Sequence, residues 1–337
     1  MPLLPHLSLR SANRLSLRTS LALALLGMVA NSAPIPGTGD RVAEVGDDFE
    51  DPSWSYVYEA PKSSMNLDGE GRSPMGYSAN GRWEESGWRG QPDVVEVVTT
   101  PSGGPAGSTQ AMRLRTLESG IPGVYDDTPH QEDFMARVSN RLGARIDTSE
   151  NLGVVLGLYM PDFSEWEDRT GGTFALRTQV QGHYPNDPDG NVDYWPGIIL
   201  DFFSSSDPEY DTDSARFRLR AASDGSDFYA GPVVETTGWW TLGMAFSEDG
   251  AIHYYVSEGV DDLTAADRVA STNPYTLICD EFDTFYFNVV NLNDGSTWST
   301  PWIIDDAFLT VNNVPEPSTV TLLALLAAAA VRRHRAG

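Results

Sequence analysis

The heptapeptide ARFRLRA at residues 215–221 alternates strictly, with Ala215, Phe217, Leu219 and Ala221 on one side and Arg216, Arg218 and Arg220 on the other. A period of two sends successive side chains to opposite faces of an extended chain. An amphipathic helix needs its apolar positions every three or four residues. The stretch AMRLRTL repeats the pattern, with Met112 and Leu114 opposite Arg113 and Arg115. Further short runs at 94–100, 134–138, 152–160, 173–180, 197–204, 239–247, 251–257, 284–291 and 302–311 are broken by Gly, Pro, Asp and Asn. No sustained helical stripe interrupts them. Glu248-Asp249-Gly250 supplies turn chemistry between two runs and predicts a hairpin. About a dozen strands without a low-complexity linker predict one all-β domain over residues 34–313, an antiparallel jelly-roll sandwich.

The charge of this body narrows its partners. The chain carries 22 Lys and Arg against 48 Asp and Glu, a net charge of −26. Six of the cations lie in the two termini, which leaves 16 basic against 47 acidic residues between them. Such a surface repels phosphate backbones, so no nucleic-acid partner is expected. Lys62 is the only lysine, and the single Cys279 has no internal disulfide partner. A body of this length buries enough core to do without one.

Both ends read as delivery segments. Residues 1–33 place Arg10, Arg14 and Arg18 ahead of the apolar run 21–30 and the small residues Ala30-Asn31-Ser32. This is the layout of a secretory signal peptide, a signal helix removed by signal peptidase. At the other end, 320–331 is apolar for 12 residues. As a helix it would span roughly 18 Å, short of the ~30 Å hydrocarbon core, so it predicts a short transmembrane helix that holds only transiently in the inner membrane. Arg332, Arg333 and Arg335 would form its cytoplasmic stop. Pro315 and Pro317 keep the preceding backbone extended, the form a processing enzyme can grip.

Together, Val314-Pro315-Glu316-Pro317-Ser318, the short apolar run and the terminal arginines resemble the PEP-CTERM sorting signal, here residues 314–337. The resemblance implies processing by an exosortase and delivery to the cell surface or extracellular matrix. It also implies association with exopolysaccharide.

A second resemblance lies in the body. DDFEDPSW near its start and WIIDDAFLTV at its close look like the first and last strands of concanavalin-like or LamG-like jelly rolls, where these strands lie side by side. In such modules acids from both strands surround a structural calcium. Carried over, this implies Asp48, Glu50, Asp305 and Asp306 as ligands, hard oxygens suited to Ca²⁺.

Signs of catalysis are weak. No G-x-S-x-G elbow occurs, and His130, His183 and His253 are scattered without metal-ligand spacing. A glycoside hydrolase or polysaccharide lyase on the same sandwich would need converging carboxylates. EWED at 165–168 reads as a loop. DEFDTF at 280–285 lacks the third acid of the laminarinase-like pattern. The loop QGHYPNDPDGNVDYW is read as a solvated hairpin tip whose flanking Tyr184, Tyr194 and Trp195 form a candidate sugar-stacking platform. Arg216, Arg218 and Arg220 are expected to meet neighbouring carboxylates. The expectation is therefore a non-enzymatic partner of extracellular polysaccharide, held together in part by calcium.

Overall fold

Extended segments whose alternate residues are apolar cannot bury that face alone; two sheets laid face to face do so. The computed structural model, which describes residues 33–121 and 123–311, shows this arrangement. Within it, the chain from Pro34 onward forms one unit. Both sheets are antiparallel.

The smaller, eight-stranded sheet runs from edge to edge through Arg268–Thr272, Ile252–Glu258, Gly238–Phe246, Leu152–Met160, Trp302–Val311, Gln110–Arg115 and Val94–Thr99. Asp40–Asp47 also pairs with Trp302–Val311, so the first and last strands of the body are neighbours. The larger, eleven-stranded sheet runs Asp227–Val234, Ser214–Arg220, Gly197–Phe203, Gly171–Tyr184, Ile278–Leu292, Pro129–Arg137, Glu84–Glu85, Tyr77–Ser78 and Tyr56–Val57. Asp187–Tyr194 is added along Gly171–Tyr184, and Ile146–Asp147 along Ile278–Leu292.

The predicted hairpin is present. Gly238–Phe246 and Ile252–Glu258 pair in continuous register, and Gly250 turns the corner at φ +75°, a conformation that costs glycine little. In Ser214–Arg220, Ala215, Phe217 and Leu219 are buried and the arginines face out.

The core lies between the sheets. Trp83 is fully buried and stacks on Phe134 with ring centroids 4.6 Å apart and planes within 9°. Phe49, Phe285 and Phe287 complete its surroundings. At the other end, Trp302 meets Trp166 and Phe174. Cys279 belongs to this core, and burial raises its thiol to about 12, out of reach of ordinary thiolate chemistry.

Lys62 is also buried. Its ammonium contacts Asp93 at 2.7 Å and Glu132 at 2.8 Å and donates to the Glu118 carbonyl at 2.9 Å. Glu132 further accepts from the Thr116 hydroxyl and the Gly120 amide. This network ties the segment after Tyr56–Val57 to the strand Pro129–Arg137.

Candidate functional site

The outer face of the larger sheet carries the site. In an antiparallel pair, residues directly opposite one another share a face. Following the register across five strands gives Met135, Tyr286, Arg177, Gly197 and Arg220, with Glu84 and Asp227 at the two ends. The next row on the same face runs Asp133, Asn288, Ala175, Ile199, Arg218 and Tyr229. Their opposite-facing neighbours Phe134, Phe287, Leu176, Ile198 and Leu219 fill the core. Thus the pleat that packs the sandwich also aims the arginines outward.

These rows floor two cavities that share lining residues. One, of about 580 Å³, is bordered by Trp88, Arg89, Arg137, Arg177, Trp195 and Tyr286 among others. The second, of about 430 Å³, shares Arg89, Arg177 and Arg220 and adds Arg169 and Arg218. Trp88 and Trp195 stand on the first with 54% and 44% of their surfaces open, unusual exposure for the most costly apolar side chain to leave in water.

Most of these guanidiniums are neutralised from outside the cavities. Arg137 bonds Glu84 at 2.9 Å, Arg169 meets Glu167 at 3.2 Å, Arg218 bonds Asp201 at 2.6 Å, and Arg220 bonds Asp227 at 3.0 Å. Arg89 lies beside Gln131 and 3.7 Å from Asp133. Asp133 is buried, and burial pushes its carboxyl above the usual range. Arg177 differs. Only 6% of it is exposed, one terminal nitrogen donates to the Trp195 carbonyl, and its buried Nε has no hydrogen-bond partner. Burial, with the nearby Arg220 and Arg89 cations, pushes its pKa down. Burial likewise raises the Tyr286 phenol to about 12.

The three aromatic residues of the expected platform separate. Trp195 faces the cleft. Tyr194, one residue earlier in an extended segment, points the other way and is buried against Tyr275, which corrects its expected role in ligand contact. Tyr184 is exposed at the end of its strand and lines neither cavity. Of the arginine stripe, Arg218 and Arg220 meet carboxylates as expected, whereas Arg216 lies over the Tyr229 ring. Glu281 and Asp283 fall within Ile278–Leu292, and Asp283 is buried. His130, His183 and His253 bond Asp126, Asp280 and a Ser247–Ser271 pair, respectively.

Asp48, Glu50 and Asp306 come together around a separate cavity of about 190 Å³ that Ala106, Gly107 and Ser108 also line. Asp305 accepts from the Ser108 hydroxyl at 2.6 Å beside them. Glu50 is already engaged: its carboxylate accepts from the Thr109 and Gln110 amides at 2.7 and 2.8 Å and from the Thr109 hydroxyl. Among the described residues no three acidic, histidine or cysteine side chains are spaced to hold a metal ion. Hydrogen bonds from Ser108, Thr109 and Gln110 clip Glu50 and Asp305 together across the chain ends.

The clip makes stability depend on pH. Burial raises Asp305 from 3.8 to about 7, and burial also raises Asp306. An acid whose folded pKa exceeds its unfolded value holds more protons when folded. Its contribution is full below about pH 4 and is lost as pH climbs toward about 7. We expect Tm to fall by a few degrees over that window, and Asp305→Asn, which keeps a partner for Ser108, to flatten the fall. Melting curves of both proteins across the window check this; parallel curves would remove the clip from the account.

The delivery segments lie outside the described residues. This holds for the signal peptide at 1–33 up to residue 32, the motif Val314, Pro315, Glu316, Pro317 and Ser318, the short transmembrane helix, and Arg332, Arg333 and Arg335. Among the described residues no helix is long and apolar enough to cross a membrane. Comparison with family sequences decides the tail. Residues 313–336 match the PEP-CTERM protein-sorting motif. A PEP-CTERM motif implies export with membrane-associated sorting and an exosortase as processing partner. The match covers the tail alone.

No curated protein matches the chain. Solved structures similar to it include the Trypanosoma cruzi calreticulin globular domain, at 12% identity and a TM-score of 0.38 over 68% of this chain and 84% of that one. An alginate lyase from Klebsiella pneumoniae gives 10% identity and 0.35 over 77% and 95%. The CBM2 module of the Lactobacillus casei phage J-1 Dit protein gives 11% and 0.34 over 69% and 97%. At such scores the likeness says nothing of function.

Proposed function

We propose that the exported sandwich is a non-catalytic polysaccharide-binding protein of the cell surface or extracellular matrix, and that the cleft on its larger sheet holds the glycan. One observation carries the reading: Trp88 and Trp195 stand exposed on a single cavity floored by fixed polar groups. Sugar-binding sites pair apolar ring faces with oriented hydrogen-bonding groups, and a cavity of this size takes a few sugar units. Export, which the PEP-CTERM motif implies, supports a partner met outside the cytoplasm.

Binding without cleavage is favoured by the lining itself. Glycoside hydrolysis uses two carboxyl groups flanking the scissile bond, and Asp133 is the one carboxylate among the residues lining the two cavities. Elimination needs a base, and a phenol near 12 is a poor one at neutral pH. Calcium is a separate matter: we expect polysaccharide retention to be the same with and without a chelator.

Affinity electrophoresis of the purified full-length chain through gels containing extracellular polysaccharides tests the reading. Retention should weaken by up to about tenfold in Trp88→Ala and again in Trp195→Ala, the scale of a lost aromatic contact. Unchanged mobility of the wild type in every polymer would refute binding. New reducing ends or unsaturated products after prolonged incubation would refute its non-catalytic character.

A further inference from the structure

Taking the cleft as the glycan site, we propose that it selects acidic polysaccharide, a polyuronate whose carboxylate is received by Arg177 together with Arg89. The inference begins from a contradiction in charge. The chain is strongly anionic, yet six arginines line the two adjoining cavities beside a single carboxylate. Four of the six pair with acids that are not among the lining residues. Arg89 shares the buried Asp133 at a long 3.7 Å, and Arg177 makes no ion pair among the described residues.

A cation with that surrounding is costly to keep unless something completes it. Arg177 is more than nine-tenths buried, opens on both cavities, and leaves its Nε without an acceptor. A guanidinium presents parallel N–H donors that match the two oxygens of a carboxylate, which a lysine ammonium cannot do. The backbone makes space for it. Gly197 lies opposite Arg177, and a Cβ there would come within 2.7 Å of the Arg177 side chain. On the next strand stands Arg220, about 10 Å away by strand spacing, so a polymer laid across the strands meets cations in succession. Trp195 fixes the arrangement, because its carbonyl holds Arg177 while its ring remains open to a sugar face.

The experiment compares polygalacturonate with the same polymer after carboxyl reduction, and with a sulfated dextran, by affinity electrophoresis of the full-length chain at low and moderate salt. Polygalacturonate should be retained at least tenfold more strongly than its reduced form, and salt should erode that difference. Arg177→Gln should abolish the preference, so that polygalacturonate is retained no more strongly than the reduced polymer by the same variant. Arg89→Gln, at a more accessible position, should halve it or more, and melting curves establish that both variants fold. Equal retention of the acidic and reduced polymers would overturn the charge reading and leave glycan binding intact. Retention of neither would overturn both. Equal retention of sulfated dextran and polygalacturonate would overturn selection of a carboxylate.

Discussion

Lys62→Met lowers the stability of the sandwich by about 3–5 kcal/mol, the loss measured when one member of a buried ion pair is removed. For a domain of this size the melting temperature falls by about 10 °C. The reason is what remains behind. Glu132 is fully buried and pushed toward protonation by burial, and Lys62 is the cation that opposes this. Without the ammonium, Glu132 must take up a proton, and Asp93 loses the partner that holds its carboxyl low. The double variant Lys62→Met with Glu132→Leu should recover part of the loss, because the fully buried charge of Glu132 is gone while the less buried Asp93 still lacks its cation. Thermal unfolding of the two proteins distinguishes a network that locks the fold from one that merely sits in it. A single variant within a degree of wild type would contradict the account.

Trp83→Ala should cost a comparable 3–5 kcal/mol, by lost burial and by the cavity left between Phe134, Phe49, Phe285 and Phe287. Trp83→Phe should cost far less. The indole Nε1 is buried with no hydrogen-bond partner, so the smaller ring gives up packing volume and no bond. Chemical denaturation of both variants reads the difference. Equal losses would mean that the nitrogen has a partner or that the packing is looser than the ring distances imply.

Much of the architecture is legible in the chain because strand periodicity is local. Leu152–Met160 and Trp302–Val311 have the bounds that alternation and turn residues predict. Other strands outrun their apolar signal. Gly171–Tyr184 and Ile278–Leu292 pair with each other across two bulges, which let the ladder continue past positions where alternation slips. Asp40–Asp47 and Arg268–Thr272 are edge strands with little burial, so few apolar residues mark them. Asp227–Val234 contains Gly231 and Pro232, which read as a break.

The site divides in the same way. Trp195 is conspicuous in sequence as an aromatic at a loop edge beside Pro196. Arg177 is not, because nothing in TFALRTQV distinguishes its arginine from those that meet acids. Its meaning comes from Gly197, Tyr286 and Arg220, which lie between 20 and 109 positions away in the chain and are assembled by register alone. Similarly, the acids at the two ends of the body do come together, and Ser108, Thr109 and Gln110 donate to Asp305 and Glu50 there, a detail no local pattern carries.

The placement of the final strand bears on how the protein withstands being handled. Trp302–Val311 is hydrogen-bonded on both sides, to Leu152–Met160 on one flank and to Gln110–Arg115 and Asp40–Asp47 on the other. Only Asn312 separates it from the matched tail. Displacing this strand therefore requires breaking ladder bonds on both flanks, where an edge strand is held on one. The body is thus closed by a strand that cannot leave without opening the middle of a sheet.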